Sequence, residues 1–183
     1  MEEPTHLTTP SINVKRIKSR YFSIDEFNIA NDAIFKVEFS HVLMVDSAAN
    51  LIFFDLKVWY SIPQNNTQNR VVLDCLVQNI FEVANIESFK QDDGKIKLPN
   101  EILINIVSMA ITHTRAVVAI NTAGTVFQDT LIPVVDPIEA TMAFFKEIPS
   151  HQTQLEKEEK LSFENIAFAP TGNSTKKIKR AVK

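Results

Sequence analysis

One uninterrupted apolar segment limits the folds open to this chain of 183 residues more than any other feature. The segment reads LPNEILINIVSMAITHTRAVVAINTAG and has no proline or glycine between Pro99 and Gly124. A proline in the first turn and a glycine just beyond the last turn are the usual boundaries of a helix. Because the apolar residues occupy most of the circumference, we expect a long helix that is buried on several sides.

Burial on several sides has a consequence for assembly. One small sheet covers one side of a helix, and little else in the chain is left to cover the others. The helix is therefore predicted to lie in an oligomer interface. The residues expected at that interface are Ile106, Val107, Ala110, Ile111 and Val118.

Three runs that precede the helix alternate between apolar and polar residues: AIFKVEFSHVLMVD, LIFFDLKVWYSI and RVVLDCLVQNIF. A period of two is typical of a strand with one covered and one wet face. With the strand-like segment 11–22 before them, the runs predict a four-stranded antiparallel sheet in an α+β fold. The last run is expected to place four residues on its covered face: Val71, Leu73, Cys75 and Val77.

The chain after the long helix is less regular. The stretch TAGTVFQDTLIPVVDP, residues 122–137, is as apolar as a core but contains two prolines and a glycine. It is predicted to be an irregular connection that leads to a short C-terminal helix, PIEATMAFFKE. We expect residues 1–10 to form a flexible leader, 11–149 one domain, and 150–183 a flexible charged tail.

Composition excludes several classes of function. The net charge of −3 predicts no nucleic-acid partner, and no apolar run of about 18 residues was found that would predict membrane insertion. The three glycines lie far apart, which excludes the two common phosphate-binding loops. The single cysteine cannot form an internal disulfide and is consistent with a cytoplasmic protein. No metal-ligand spacing is present, and no cofactor or metal is expected.

The one site-like polar pair is His113 with Arg115, near the middle of the long helix. Catalysis would require a nucleophile or a carboxylate within hydrogen-bond reach of this pair, and no motif supplies one. We therefore predict that the chain has no catalytic residues and is not an enzyme. The pair is expected to face a subunit interface or a partly wet groove.

The order of elements and several segments resemble the SecB family of protein-export chaperones over about residues 12–146. The first strand and its loop are similar in VKRIKSRYFSIDEFN, and the fourth strand is similar in LDCLVQNIFEVANI. The long helix resembles the family's interface helix, with Arg115 and the terminal pair Gly124 and Thr125. The LIPVVDP segment is similar to the stretch before the family's last helix.

This resemblance implies a holdase that forms a homotetramer and binds unfolded or precursor polypeptides in apolar grooves, for protein export. It implies a use for the apolar connection, since a groove needs accessible apolar side chains beside a sheet edge. The groove residues expected are Phe39, Phe81, Val83, Phe127, Leu131, Ile132 and Phe144.

The resemblance also implies that an acidic sheet face docks the SecA export motor. Asp25 and Asp74 match two positions of that face, whereas Tyr21 stands where the family has an acid. One alternative is a dedicated chaperone or adaptor of a single client, such as an antitoxin. Another is a hotdog-type thioesterase, which also wraps a sheet around a long helix but places that helix before most of its strands.

One apolar motif interrupts the charged tail. The motif LSFENIAF carries Leu161, Phe163, Ile166 and Phe168 between flanking charged residues. Because a tethered segment has a high effective concentration, we expect this motif to compete weakly for the client groove of its own or a neighbouring subunit.

Overall fold

The computed structural model describes residues 11–30, 33–64, 68–145 and 161–163. The elements, in chain order, are β1 (Ile12–Ile24), β2 (Lys36–Asp46), β3 (Leu51–Gln64), β4 (Gln68–Val83), a 3-10 turn (Ile86–Phe89), α1 (Asn100–Thr122), α2 (Pro137–Phe144) and β5 (Leu161–Phe163).

The sheet has the strand order β1-β4-β3-β2-β5, and each pair of neighbouring strands is antiparallel. One face of this sheet is covered by α1, which packs mainly on β4 and β3 and also contacts α2. The predicted α+β class, with four antiparallel strands, a long helix and a short C-terminal helix, is confirmed. Because α1 follows all four long strands, the order of elements is not the one expected of a hotdog thioesterase.

Alternation along β2 and β3 creates the inner, helix-facing side of the sheet. Phe54, Leu56 and Val58 are fully buried, while Asp55 and Lys57 between them are not. The register places Val58 opposite Phe39 of β2 and Cys75 of β4, so the three strands contribute to the same core. Period-two patterning therefore predicted the covered faces of these strands correctly.

The start of β4 departs from the predicted alternation. The pairing steps from Tyr60 opposite Leu73 to Ser61 opposite Val71, so Val72 is an extra residue in a β-bulge. Beyond a bulge the side chains exchange faces. As a result Val72 is buried and Val71 is exposed, and the prediction that Val71 lies on the covered face is wrong.

Helix α1 begins after Pro99 and ends shortly before Gly124, as its sequence boundaries predict. Gly124 has a φ of +80°, in the left-handed region that favours glycine after a helix. The buried residues of α1 fall on one side of the helix rather than around it. They are Ile102, Ile106, Val107, Ala110, Ile111, Thr114, Val118 and Thr122.

All five residues predicted at an oligomer interface belong to this buried side of α1. They are Ile106, Val107, Ala110, Ile111 and Val118, and each is at most 6% exposed in the single chain. They pack in the core of their own protomer, which already covers them. Their place in an oligomer interface stays a prediction, while Ile120, which is 75% exposed, is a side chain of α1 that is open to a partner.

By length and composition alone, α1 is also apolar enough to cross a membrane. That finding corrects the expectation that no segment of the chain would meet this criterion. The core helix of a soluble protein passes the same test, and one side of α1 packs against the sheet and α2. The helix therefore provides only weak evidence for a membrane span.

The described residues after α2 include a strand that the sequence did not predict. Leu161–Phe163 forms β5 and pairs with Val37–Phe39 at the edge of β2. This strand lies within the segment 150–183 that was expected to be a flexible tail, so for these three residues the expectation is wrong. The motif residues Ile166 and Phe168 lie outside the described part of the chain.

Candidate functional site

The connection between α1 and α2, residues 123–136, is held in place by hydrogen bonds to distant parts of the chain. Near α1, the Val126 N–H donates to a carboxylate oxygen of Glu26 over 2.9 Å, and the Phe127 N–H donates to Thr125 Oγ1 over 3.1 Å. Further along, the Tyr60 hydroxyl donates to the Thr130 carbonyl over 3.4 Å. An irregular backbone is thus held in place by partners from the β1–β2 loop and from β3.

Side chains of this connection divide into an inward and an outward set. Phe127 and Ile132 are buried in the core, with the Phe127 ring centroid 5.4 Å from that of Phe35. The outward set is Val126, Leu131 and Val134, which are 53%, 45% and 82% exposed. We refer to these three residues as the outward patch. These three side chains are apolar and exposed to water. The buried side chains of Phe127 and Ile132 hold the backbone of the same connection against the sheet.

The connection lies beside the start of β2. Phe35, immediately before β2, contacts both Phe127 and Tyr60, the latter with a ring separation of 6.3 Å. Tyr60 is in turn opposite Val37 in the sheet register. The connection therefore runs along the inner face next to the edge formed by β2, the strand to which β5 is added.

Helix α2 follows the connection and contacts the inner face of β2. Its start is capped by Asp136, whose carboxylate accepts hydrogen bonds from the N–H groups of Ile138 (2.7 Å) and Glu139 (3.3 Å). The helix ends at Phe144, whose ring lies 4.7 Å from the imidazole of His41 on β2. This contact holds the C-terminal end of α2 against the middle of β2.

His41 is an unusual residue for this position. Its ring lies among three phenyl rings, those of Phe54, Phe144 and Phe145, at 5.6, 4.7 and 4.8 Å. Its Nδ1 is buried and has no hydrogen-bond partner among the described residues. Burial lowers the pKa of His41 to about 4, because the charged imidazolium would lose its hydration there. The imidazole is therefore neutral at physiological pH and behaves as an aromatic core residue.

Six of the seven side chains predicted to line a client groove lie in the core. Phe39, Phe81, Val83, Phe127, Ile132 and Phe144 are each at most 3% exposed, and only Leu131 reaches the surface. The structure corrects the accessibility that was assumed for these six. They line the interior because inward alternation on the strands and the anchoring of the connection turn them towards α1 and the sheet. Contact of the seven with clients stays a prediction, and the six would first have to be uncovered.

The acidic face implied by the family resemblance is largely neutralised within the chain. Asp25 forms an ion pair with Arg70 at 3.0 Å, and Asp74 forms one with Lys57 at 3.3 Å. A backbone hydrogen bond from Phe27, and then Arg70, lower the pKa of Asp25 below its ordinary value. The two carboxylates are brought to neighbouring positions by β1 and β4, but each already has a cation beside it. Docking of a motor protein at these residues stays a prediction.

One residue of the polar pair on α1, His113, contacts the sheet. His113 Nδ1 lies 2.8 Å from the side-chain oxygen of Asn79 on β4, a buried residue. Within the described ranges, His113 makes no hydrogen bond or ion pair with a carboxylate. Burial lowers the pKa of His113 below its ordinary value. This contact fixes α1 on the sheet and gives His113 a structural role.

Comparison with known proteins gives a limited result. No family model matches the chain, and no curated protein matches it. Among solved structures, the chain is similar to a SecB-like chaperone from Mycobacterium tuberculosis in complex with a peptide from the HigA1 antitoxin. The identity is 15%, the match covers 68% of this chain and 87% of that one, and the TM-score is 0.45.

A second similar structure is a protein of unknown function from Streptococcus agalactiae. It is 13% identical, with 61% of this chain and 90% of that one covered, and its TM-score is 0.25. The resemblance noted in the sequence is thus matched by a solved SecB-like structure. At TM-scores below 0.5, neither likeness carries an argument about what this chain binds.

The sequence did not single out Val126 and Val134, the most exposed members of the outward patch. Both are apolar residues next to apolar residues, so composition alone did not show which would face water. The sequence did contain a partial signal. Each patch residue adjoins a residue that is apolar too, namely Phe127, Ile132 or Pro133, and one residue of each adjoining pair must point away from the core.

Proposed function

We propose that this chain is a polypeptide-binding protein of the holdase type, which retains unfolded segments on the outward patch beside the β2 edge. The observation that carries this proposal is the exposure of Val126, Leu131 and Val134 on a connection held in place by its own buried side chains. Exposed apolar side chains on a fixed backbone can bind apolar side chains of many sequences, because burial of hydrocarbon is not directional.

The free energy that the patch can contribute favours weak and exchangeable binding. Full burial of a Val or Leu side chain contributes about 1.5–3 kcal/mol, and these three are already partly covered. Ordering a flexible client opposes that gain. One patch therefore gives low affinity, and stable retention requires several contacts along one client chain.

Oligomerisation would supply those several contacts, and we include a homo-oligomer in the proposal. Ile120 on α1 and Met142 on α2 are 75% and 67% exposed. Ile138, four residues before Met142 in α2, is also exposed. These side chains lie outside the protomer core and are available to a second copy. The family resemblance suggests a tetramer in the cytoplasm that serves protein export.

The experiment that tests the proposal compares two matched double variants. Leu131→Ser with Val134→Ser removes two members of the outward patch, while Val14→Ser with Ile17→Ser removes two exposed apolar residues from β1, at the other edge of the sheet. Light scattering follows the aggregation of a reduced unfolded protein in the presence of each variant. The patch variant should lose most of the suppression shown by the wild-type chain, and the control should keep it.

Either of two results would count against this function. One is a wild-type chain that does not suppress aggregation at a several-fold molar excess. The other is an equal loss of activity in both double variants, which would mean that general surface apolarity, not the patch, is responsible. Unfolding curves for both variants confirm that neither has lost its fold.

A further inference from the structure

The edge of β2 carries a strand that comes from the other end of the chain. β5 pairs antiparallel with β2 in a definite register: Leu161 lies opposite Phe39, Ser162 opposite Glu38, and Phe163 opposite Val37. Residues 145–160, which separate α2 from β5, amount to 16 positions in the sequence. The pairing therefore closes a loop between the C-terminal region and the outer strand of the sheet.

Within the described ranges, β5 uses only a small part of the edge. β2 contains 11 residues, and β5 pairs with three of them. Across the described ranges, the stretch from Ser40 to Asp46 has a strand neighbour only on its β3 side. An edge strand offers unpaired N–H and C=O groups to any extended chain. β2 therefore has room for a longer strand than the one it holds.

The register also identifies the kind of sequence that fits. Val37 and Phe39 belong to the inner face of the sheet and are buried, whereas Glu38 belongs to the outer face, where it accepts a hydrogen bond from Trp59 Nε1 over 3.1 Å. The residues opposite them read apolar, polar, apolar. In strand addition, main-chain hydrogen bonds supply affinity and alternate side chains supply selectivity. The edge thus fits an extended polypeptide with an apolar residue at every second position.

We propose that the β2 edge, from Val37 towards Asp46, is a strand-addition site for extended client polypeptides, and that Leu161–Phe163 of the same chain occupies it as a replaceable internal ligand. The assignment deepens the proposed function, on which its client-binding part rests. The site adjoins the outward patch, because the connection packs against Phe35 immediately before β2. A client strand added to the edge would place neighbouring residues within reach of that patch.

The short pairing makes β5 suitable for replacement. Three residue pairs form few hydrogen bonds, whereas a client can pair along more of β2. Tethering compensates for the small contact, since a linker of this length gives an effective concentration of about a millimolar. If β5 occupies the edge for about nine-tenths of the time, its removal should tighten client binding by about ten-fold. Clients with too few alternating apolar residues would not displace it.

Two matched tail variants test this assignment in the full chain. Leu161→Asp with Phe163→Asp changes the two β5 positions opposite the inner face of β2. Ile166→Asp with Phe168→Asp makes the same change in charge and composition outside the paired residues. The probe is a fluorescein-labelled synthetic peptide with Leu, Val and Phe at alternate positions, and its affinity is measured by fluorescence anisotropy.

We expect the β5 variant to bind the probe several-fold to ten-fold more tightly than the wild-type chain, and the control variant to bind like the wild-type chain. Equal affinities in all three would overturn the internal-ligand role. Peptide binding that leaves amide hydrogen exchange of β2 unchanged in the β5 variant would overturn the strand-addition site.

Amide exchange without any peptide separates this assignment from the proposed function. The β2 amides between Lys36 and Ser40 that face β5 should exchange faster in the β5 variant and not in the control. If that difference appears but no variant binds the probe, the tail pairing stands and the client function is wrong. If no difference appears, β5 does not protect the edge, and the internal ligand is refuted whatever the chain binds.

Discussion

The buried imidazole of His41 makes the protein sensitive to mild acid. Its pKa is lowered to about 4 in the folded protein by burial, against 6.5 for an ordinary histidine. The unfolded chain therefore binds a proton at a pH where the folded chain does not, and the free energy of unfolding falls with pH. This loss begins near pH 6.5 and is complete only below about pH 4.

The loss in the free energy of unfolding can be calculated from the pKa shift of His41. One unit of pKa difference corresponds to about 1.4 kcal/mol, so the whole window corresponds to about 3 kcal/mol. Between pH 7 and pH 5, where the titration of the unfolded chain dominates, about 2 kcal/mol of that should be lost. That is a large fraction of the stability of an ordinary domain.

Replacing the imidazole with a phenyl or isopropyl group removes this titration while keeping the site apolar. His41→Phe and His41→Leu should therefore unfold in urea with free energies that decline less, by about 2 kcal/mol, between pH 7 and pH 5. The ring contacts with Phe144 and Phe145 favour the phenyl variant at neutral pH. All samples are compared at one protein concentration, because oligomerisation would add to stability.

His113 contributes to the same decline, since burial lowers its pKa as well. The variants at His41 should therefore keep a residual pH dependence. A wild-type chain and a His41→Phe variant with the same loss between pH 7 and pH 5 would refute the reasoning. That result would mean that the imidazole is hydrated, or that it leaves its aromatic surroundings before the chain unfolds.

Two further predictions concern α1 and α2. Val107→Glu should cost several kcal/mol and prevent folding, because Val107 is fully buried in its own protomer, whereas Ile120→Glu should fold normally and change only the oligomeric state. Circular dichroism with size-exclusion chromatography distinguishes these outcomes, and a folded, monomeric Val107→Glu protein would contradict the placement of α1. Asp136→Ala should lower stability by about 1 kcal/mol through loss of the α2 cap. An Asp136→Ala protein with wild-type urea unfolding would show that the cap is unimportant.

Features with a local cause were predictable from the sequence. Alternation placed Phe54, Leu56 and Val58 on one face because side-chain direction in a strand repeats every two residues. Pro99 and Gly124 fixed the ends of α1 because each acts on its own turn of backbone. These signals do not depend on how the elements later pack.

Features decided by packing were not predictable in the same way. The bulge at Val72 reverses the faces of β4, and it arises from pairing with β3. Helix α1 has apolar residues around most of its circumference, so its sequence could not show that Val107 and Ile111 would face the sheet while Ile120 would not. The β5 pairing joins residues more than 120 positions apart, and three residues carry too little pattern to predict such a contact.

The candidate site likewise combines features that the sequence predicted with features that packing decided. The sequence identified the connection as apolar and irregular and selected Leu131, which is exposed. It also selected Phe127 and Ile132, which anchor the connection instead. Which residues anchor and which are exposed depends on contacts with Phe35 and Tyr60, and both lie far away in the sequence.

The most direct test of the central claim is a contact measurement between the outward patch and a client. A photocrosslinking amino acid is placed in turn at Val134, in the patch, and at Tyr21, which is exposed on β1 at the far edge of the sheet. Each protein is irradiated with a reduced unfolded protein, and the covalent adducts are quantified. We expect strong crosslinking from position 134 and little from position 21. Equal crosslinking from the two positions, or none from position 134, would contradict the assignment of this patch as a polypeptide-binding site.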